Sequence, residues 1–214
     1  MKYHKLVENA KKPNGFWGKM MIKAMNKGHS SLTSWGLEHM NIERTATVLD
    51  IGCGGGKTVD RLCSIVANGK VYGIDYSELS VKSSEKLNSK NILCNKAKIL
   101  QTSVSDMPFD DNTFDNITAV ETYYFWPDKE NDVKEVFRVL KQGGTVMLLF
   151  EMLRTDDDPF KWEKVENMLN IKSVTPQEIR AVLESAGFEN INTYTKEGTT
   201  WLCATAQKPK DDEN

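Results

Sequence analysis

The chain is 214 residues long, with 39 % hydrophobic and 27 % charged residues, which bounds it to one ordinary domain or one domain with a small appendage. Lys and Arg number 28 against 30 Asp and Glu, a net charge of −2. That balance argues against nucleic acid as the main partner, because a phosphate backbone demands a basic excess or stripe. No stretch approaches the ~20 apolar residues that span a bilayer, so stable membrane insertion is not expected. The first residues lead into Asn, Lys and Pro rather than an apolar signal core, and the expected location is the cytoplasm. Cys53, Cys63, Cys94 and Cys203 lie far apart without a C-x-x-C pair, which predicts free, mostly buried thiols, no disulfide framework and no metal site.

Residues 1–45 read as helical. Trp17, Met20, Met21, Ala24, Met25 and Gly28 fall on one apolar face. A polar break at 27–30 separates them from a second short helix expected over 34–40. Strand and helix then alternate. Thr47-Val48-Leu49-Asp50-Ile51 predicts a strand running into glycines. Val59, Leu62, Cys63 and Val66 give a helical face, stopped by Asn68-Gly69. Strands are expected at 70–75, 97–102 and 114–120, with Ser77 as an N-cap after the first of these. Val133, Val136, Phe137 and Leu140 form another helical face, and the apolar run 145–150 suits a strand covered on both sides.

Further on, Thr175 is a candidate N-cap, with Pro176 at the first helical position and Glu178 at the third. Ile179, Val182, Leu183 and Ala186 make that helix's face, and Gly187 ends it. Two strands, 188–194 and 200–206, are expected to pair antiparallel around Lys196-Glu197-Gly198. Residues 209–214 are expected to be a disordered tail. The alternation predicts an α/β protein with a doubly wound sheet, mixed at one edge. Its ligand should lie at the carboxyl ends of the strands near the topological switch point.

The chemistry concentrates in Val48 to Gly56, where Gly52, Gly54 and Gly56 follow the first strand and open a helix. Glycines let backbone approach a ligand without a Cβ in the way. Nineteen residues beyond Gly56 stands Asp75, where an acid can accept from ribose hydroxyls, so a nucleoside ligand is expected. A dinucleotide fingerprint would place glycine where Lys57 stands, and a phosphate-binding P-loop would place one at Ile51. After the fourth strand, Tyr123, Tyr124, Phe125 and Trp126 offer either an aromatic wall beside a cation or local packing under a helix. Glu121 is placed to face a substrate or orient a cofactor, and His29, in the polar break, is the histidine best placed for a general base. His29, Glu121 and Tyr124 are the catalytic candidates.

Taken in order, these motifs resemble the class I S-adenosylmethionine-dependent methyltransferases, of the small-molecule type that includes quinone-biosynthesis enzymes. The resemblance covers 47–151 well and extends to 208. Asp50, Gly52, Gly54 and Gly56 match the family's acid and glycine turn, and Asp75 with Tyr76 matches the acid ending strand two. Asp106, in Ser105-Asp106-Met107-Pro108-Phe109, matches an acid after strand three. Phe114-Asp115 matches the opening of strand four. Val139-Leu140-Lys141-Gln142-Gly143-Gly144 matches the approach to strand five, with Gln142 where proline is usual.

The resemblance implies a Rossmann-like sheet of seven strands, the last antiparallel, over 46–208, with an N-terminal helical lid at 1–45. It implies S-adenosylmethionine as cofactor, S-adenosylhomocysteine as product, and a small-molecule acceptor methylated by in-line displacement. Asp50 and the glycine turn would position the methionine part, Asp75 the ribose and Asp106 the adenine amino group, with Met107 packing on the ring. Asp115 would shape the approach to its strand. Trp17, Met20, Tyr124, Phe125 and Trp126 would line the acceptor pocket, with Tyr3, Phe16 and Met25 from the lid. The expected assembly is a monomer or homodimer. The alternatives are a cofactor-binding module without turnover and a nicotinamide-dependent oxidoreductase.

Overall fold

The computed structural model describes Pro13 and residues 15–210. The expectations for Tyr3 and for 211–214 of the tail lie outside the described residues, as do the side chains of Phe16 and Met25. Helices α1 (Gly15–Gly28) and α2 (Ser30–Leu37) precede β1 (Thr47–Ile51) and α3 (Lys57–Ile65). Next come β2 (Lys70–Asp75), α4 (Glu78–Leu87), α5 (Ser89–Leu93) and β3 (Ala97–Gln101). Strand β4 (Phe114–Val120) leads through a short 3-10 turn (Tyr123–Phe125) into α6 (Lys129–Val139) and β5 (Leu140–Phe150). Then follow α7 (Glu163–Leu169), α8 (Pro176–Ser185), β6 (Glu189–Thr195) and β7 (Leu202–Gln207). No described helix is long and apolar enough to cross a membrane.

The seven strands form one sheet in the order β3-β2-β1-β4-β5-β7-β6. Strand β7 runs antiparallel to both neighbours, and the other pairs are parallel. The order reverses between β1 and β4, and the crevice there opens at the carboxyl ends of both strands. Central strands are apolar because helices cover both their faces: Val48, Leu49, Ile117 and Leu148 are all buried. Each such aliphatic side chain contributes roughly 1.5–3 kcal/mol through burial. The edge strands β3 and β6 carry most of the sheet's exposed residues, among them Lys98, Glu189 and Asn192.

Several local signals act as their chemistry dictates. Ser77 caps α4 by accepting from the Ser80 amide. Thr175 and Glu178 complete a reciprocal capping box at α8. Asp115 accepts from the Thr47 amide at 2.7 Å and pairs with Lys141 at 2.8 Å, fastening the start of β4 to β1 and β5. All four cysteines are free, three buried and Cys94 exposed.

Two boundaries shift by four residues or more, and two short helices appear where none is expected. The second helix occupies Ser30–Leu37, not 34–40, because Gly28 still belongs to α1 and the polar break shrinks to His29 alone. Strand β5 starts at Leu140, five residues early: Leu140 pairs with Phe114, and the chain then bulges before Thr145 pairs with Asn116. Helices α5 and α7 are short and bury no residue fully, so their periodicity is a weak signal, although Trp162, Val165 and Leu169 at α7 pack partly on the core.

Candidate active site

Beyond β1 the chain turns sharply through Gly52 and enters α3 after Gly56. Both residues hold positive φ, +68° and +80°. A Cβ on Gly52 would lie 2.2 Å from Thr122 Oγ1, so the turn after β1 is pressed against the turn after β4. A Cβ on Gly56 would meet Ser84 Oγ at 2.4 Å and Ser84 Cα at 2.8 Å, and Asn88 Nδ2 donates to the Gly56 carbonyl at 3.0 Å. Gly56 therefore seats the glycine turn on α4, whereas Gly52 and Gly54 border open space.

Two carboxylates stand at the ends of adjacent strands. Asp50, 2 % exposed, accepts from Thr118 Oγ1 at 2.7 Å. Burial pushes its pKa up to about 7 against the help of Thr118, and the neighbouring charge of Asp75 adds to the rise. Asp75, 8 % exposed, accepts from the Gly54 amide through Oδ2 (3.0 Å) and from the Ser77 amide through Oδ1 (2.8 Å). The Ser80 side chain also hydrogen-bonds this carboxyl, and burial raises its pKa despite those three donors.

A raised carboxyl pKa has a definite sign in stability. Asp50 stabilises the fold when protonated, fully so below the ordinary carboxylate range, and this contribution is lost as pH rises through about 7. Asp50→Asn in the ligand-free protein should therefore gain on wild type in Tm between pH 5 and pH 8. A constant difference across that interval would reject a protonated Asp50.

The aromatic run after β4 divides its work. Tyr123 and Tyr124 turn inward onto Phe150, with ring centroids 5.7 and 5.6 Å away, while Phe125 and Trp126 border open space. Tyr124 OH donates to Glu121 Oε1 at 3.3 Å and accepts from the Met152 amide at 3.0 Å. Glu121 Oε1 also accepts from the Glu151 amide. Burial pushes the Glu121 pKa up to about 8, and the Glu151 charge contributes. His29 Nε2 lies 4.0 Å from Glu151 Oε2, and burial lowers the histidine's pKa against that acid's pull. Arg61 on α3 holds the start of α2 by donating to the Ser30 carbonyl (3.0 Å), Ser30 Oγ (3.0 Å) and Ser34 Oγ (2.7 Å).

These groups surround a cleft with two connected lobes. The first, about 910 Å³, is bordered by Asp50, the glycine turn, Arg61, His29, Glu121 and Ile22 of α1. The second, about 740 Å³, lies beyond the carboxyl ends of β1, β2 and β3 against Ser103, Val104, Trp126 and Pro127. Gly52, Asp75, Tyr76, Thr122 and Phe125 border both.

The structure thus gathers Asp50, Gly52, Gly54, Asp75, Tyr76, Phe125, Trp126, His29 and Glu121 on one cleft. Tyr124 stands behind Glu121 and lines neither lobe. Asp106 is exposed and Met107 buried, and neither borders the cleft. The turn after β3 closes through Thr102 Oγ1 donating to the Asp106 carbonyl at 2.8 Å, which leaves Ser103 and Val104 facing the second lobe instead. Trp17 and Met20, 49 % and 52 % exposed, also lie away from both lobes. Thr122, Ser103, Val104, Arg61 and Glu151 escaped the sequence reading. Position at the carboxyl end of a strand, rather than residue type, is the signal that finds four of them.

Comparison with known proteins addresses the family and the fold. Residues 49–148 match the family described as a methyltransferase domain. A ubiquinone/menaquinone biosynthesis C-methyltransferase of Cronobacter sakazakii is 30 % identical over 73 % of this chain and 72 % of its own length. An uncharacterized methyltransferase of Bacillus subtilis is 27 % identical over 85 % of this chain and 93 % of its own. Other curated relatives, sterol methyltransferases among them, are longer, and the chain spans 42 % and 30 % of two of these. Among solved structures, a Haemonchus contortus phosphoethanolamine N-methyltransferase in complex with S-adenosylhomocysteine superposes with a TM-score of 0.75. It is 14 % identical, over 91 % of this chain and 58 % of that one. The chain belongs to the S-adenosylmethionine-dependent methyltransferase family. These matches do not favour the oxidoreductase or turnover-free readings.

Proposed function

We propose that the cleft binds S-adenosylmethionine and that the protein methylates a small-molecule acceptor. The observation that carries this reading is the pair of buried carboxylates, Asp50 and Asp75, facing a cleft shaped by glycine backbone. Asp75 accepts from two amides and the Ser80 side chain and still has acceptor capacity left for a ribose hydroxyl at the cleft. Asp50 is buried without a described cationic partner, so a positively charged ligand would relieve its desolvation. The second lobe, between Val104, Phe125 and Trp126 with Ser103 at its wall, suits a flat heteroaromatic ring. Asp106 and Met107 would support that wall from outside the cleft.

S-adenosylmethionine supplies a methyl group on a sulfonium, transferable by in-line displacement. The chain's own contribution is alignment and exclusion of water. Asp75 and the glycine turn fix one end of the ligand, and Thr122 and Phe125 mark the boundary between the two lobes. Glu121, with Tyr124 behind it, and His29 face the acceptor end beyond β4. The segment before β1 borders the first lobe at both ends, as a lid at 1–45 would: Pro13 lies beside Asp75, its carbonyl accepting from Ser77 Oγ at 3.1 Å, while Ile22 and His29 line the same lobe.

Calorimetric titration with S-adenosylmethionine should show one ligand per chain. A methyl-transfer screen over quinols, thiols, amines and halides should yield S-adenosylhomocysteine with one class. Binding without any turnover would restore the cofactor-binding module, and absence of binding would reject the assignment of the cleft.

A further inference from the structure

We propose that His29, Glu121 and Glu151 form a binding site for one divalent transition-metal ion at the acceptor end of the cleft. This goes beyond the methyltransferase reading and does not depend on the identity of the acceptor. One ligand atom from each residue can be chosen so that all three lie within 4.8 Å of one another. Metal–ligand bonds of ~2.0–2.2 Å would draw such atoms together by roughly 1 Å, a movement within the rotamer freedom of two glutamates.

Three separate parts of the fold deliver these side chains. Glu121 and Glu151 each directly follow a strand, β4 and β5, and the two strands are paired at Val120 and Leu149. The carboxyl groups therefore leave the sheet side by side, and the Glu121 amide still donates to the Leu149 carbonyl at 2.9 Å. His29 comes from the single residue between α1 and α2 and borders the same lobe. The two hydrogen bonds to the Glu121 carboxylate, from Tyr124 and from the Glu151 amide, both end on Oε1. They fix its orientation, and no hydrogen bond from the described residues ends on Oε2.

Charge gives the second reason. Glu121 is desolvated and Glu151 beside it is about half exposed, and a cation bridging the two carboxyl groups would offset the burial of the first. Among the described residues no lysine or arginine pairs with either. Lys57 and Arg61 border the same lobe, but Lys57 pairs with Asp60 at 2.9 Å, and Arg61 is spent on Ser30 and Ser34. The imidazole stands 4.0 Å from the Glu151 carboxylate, too far for a hydrogen bond. One imidazole and two carboxylates suit ions such as Mn²⁺ and Zn²⁺. Three protein ligands leave coordination positions open, and His29 and Glu121 present them to the cleft, where an acceptor hydroxyl held on the ion would be acidified.

The test uses the full untagged chain, stripped with a chelator and titrated calorimetrically with MnCl₂ and, separately, ZnCl₂. The expected result is one ion per chain for at least one of the two. Affinity should fall at least ten-fold in Glu121→Gln and in His29→Ala, and stay unchanged in Glu184→Gln, a remote exposed control. Thermal melts of each variant identify any that fails to fold. If both variants misfold, Glu151→Gln and the electron paramagnetic resonance spectrum of Mn²⁺ bound to wild type decide. Absence of stoichiometric binding by both ions, or affinity unchanged across the folded variants, overturns the proposal. A parallel titration with S-adenosylmethionine keeps the two readings apart, because cofactor binding without metal binding rejects the metal site alone.

Discussion

Asp75→Ala should weaken S-adenosylmethionine binding by ~1–3 kcal/mol, about 5- to 150-fold in Kd, the cost typical of removing a buried polar partner. The side chain accepts from the amides of Gly54 and Ser77, one on each oxygen, so it both offers lone pairs to the cleft and braces the glycine turn. Asp75→Asn keeps one acceptor oxygen and should fall between wild type and Asp75→Ala. Calorimetric titration of the three proteins checks the order. Unchanged affinity in Asp75→Ala would remove this residue from the cofactor site.

Phe150→Ala should cost ~3–5 kcal/mol of folding stability, the range for deleting a fully buried aromatic ring. Phe150 is 0 % exposed at the end of β5 and meets Tyr123 and Tyr124 edge-on. The resulting void would open beneath the turn that carries the Tyr124 hydroxyl to Glu121. Urea unfolding should show a lower midpoint with an unchanged slope. A loss under 1 kcal/mol would mean that the two tyrosines collapse into the void.

The sheet was legible in the sequence because its strands carry local signals. Thr47 to Ile51 and 114–120 stand out as apolar, β-branched runs, and the structure places strands there with the expected bounds. The capping residues Ser77 and Thr175 were equally legible, since their side chains act on amides only three residues away. Asp75 was readable as a cleft residue because it ends a strand, and Asp50 through the resemblance of its acid and glycine turn. The turn after β3 was not. Asp106 carries the charge and draws attention, but the hydrogen bond from Thr102 to its carbonyl turns Ser103 and Val104 inward. Nor could spacing bring His29, Glu121 and Glu151 together, because their proximity comes from the pairing of β4 with β5 and from the seat of α2 on the sheet.

That seat has a mechanical consequence. A Cβ on Gly36 would lie 2.7 Å from a Leu149 methyl, so α2 rests directly against β5. Leu32 is buried and Trp35 nearly so, while Arg61 staples the helix start to α3. The helix is thus part of the frame, and α1 is held at both of its ends: through His29 to α2, and at Pro13, whose carbonyl accepts from Ser77 Oγ at 3.1 Å. A swing of α1 wide enough to admit a nucleoside would rotate the backbone at His29 and carry the imidazole with it. The same swing would have to break the Pro13–Ser77 hydrogen bond beside Asp75, so any opening there would be felt at both ends of the cleft.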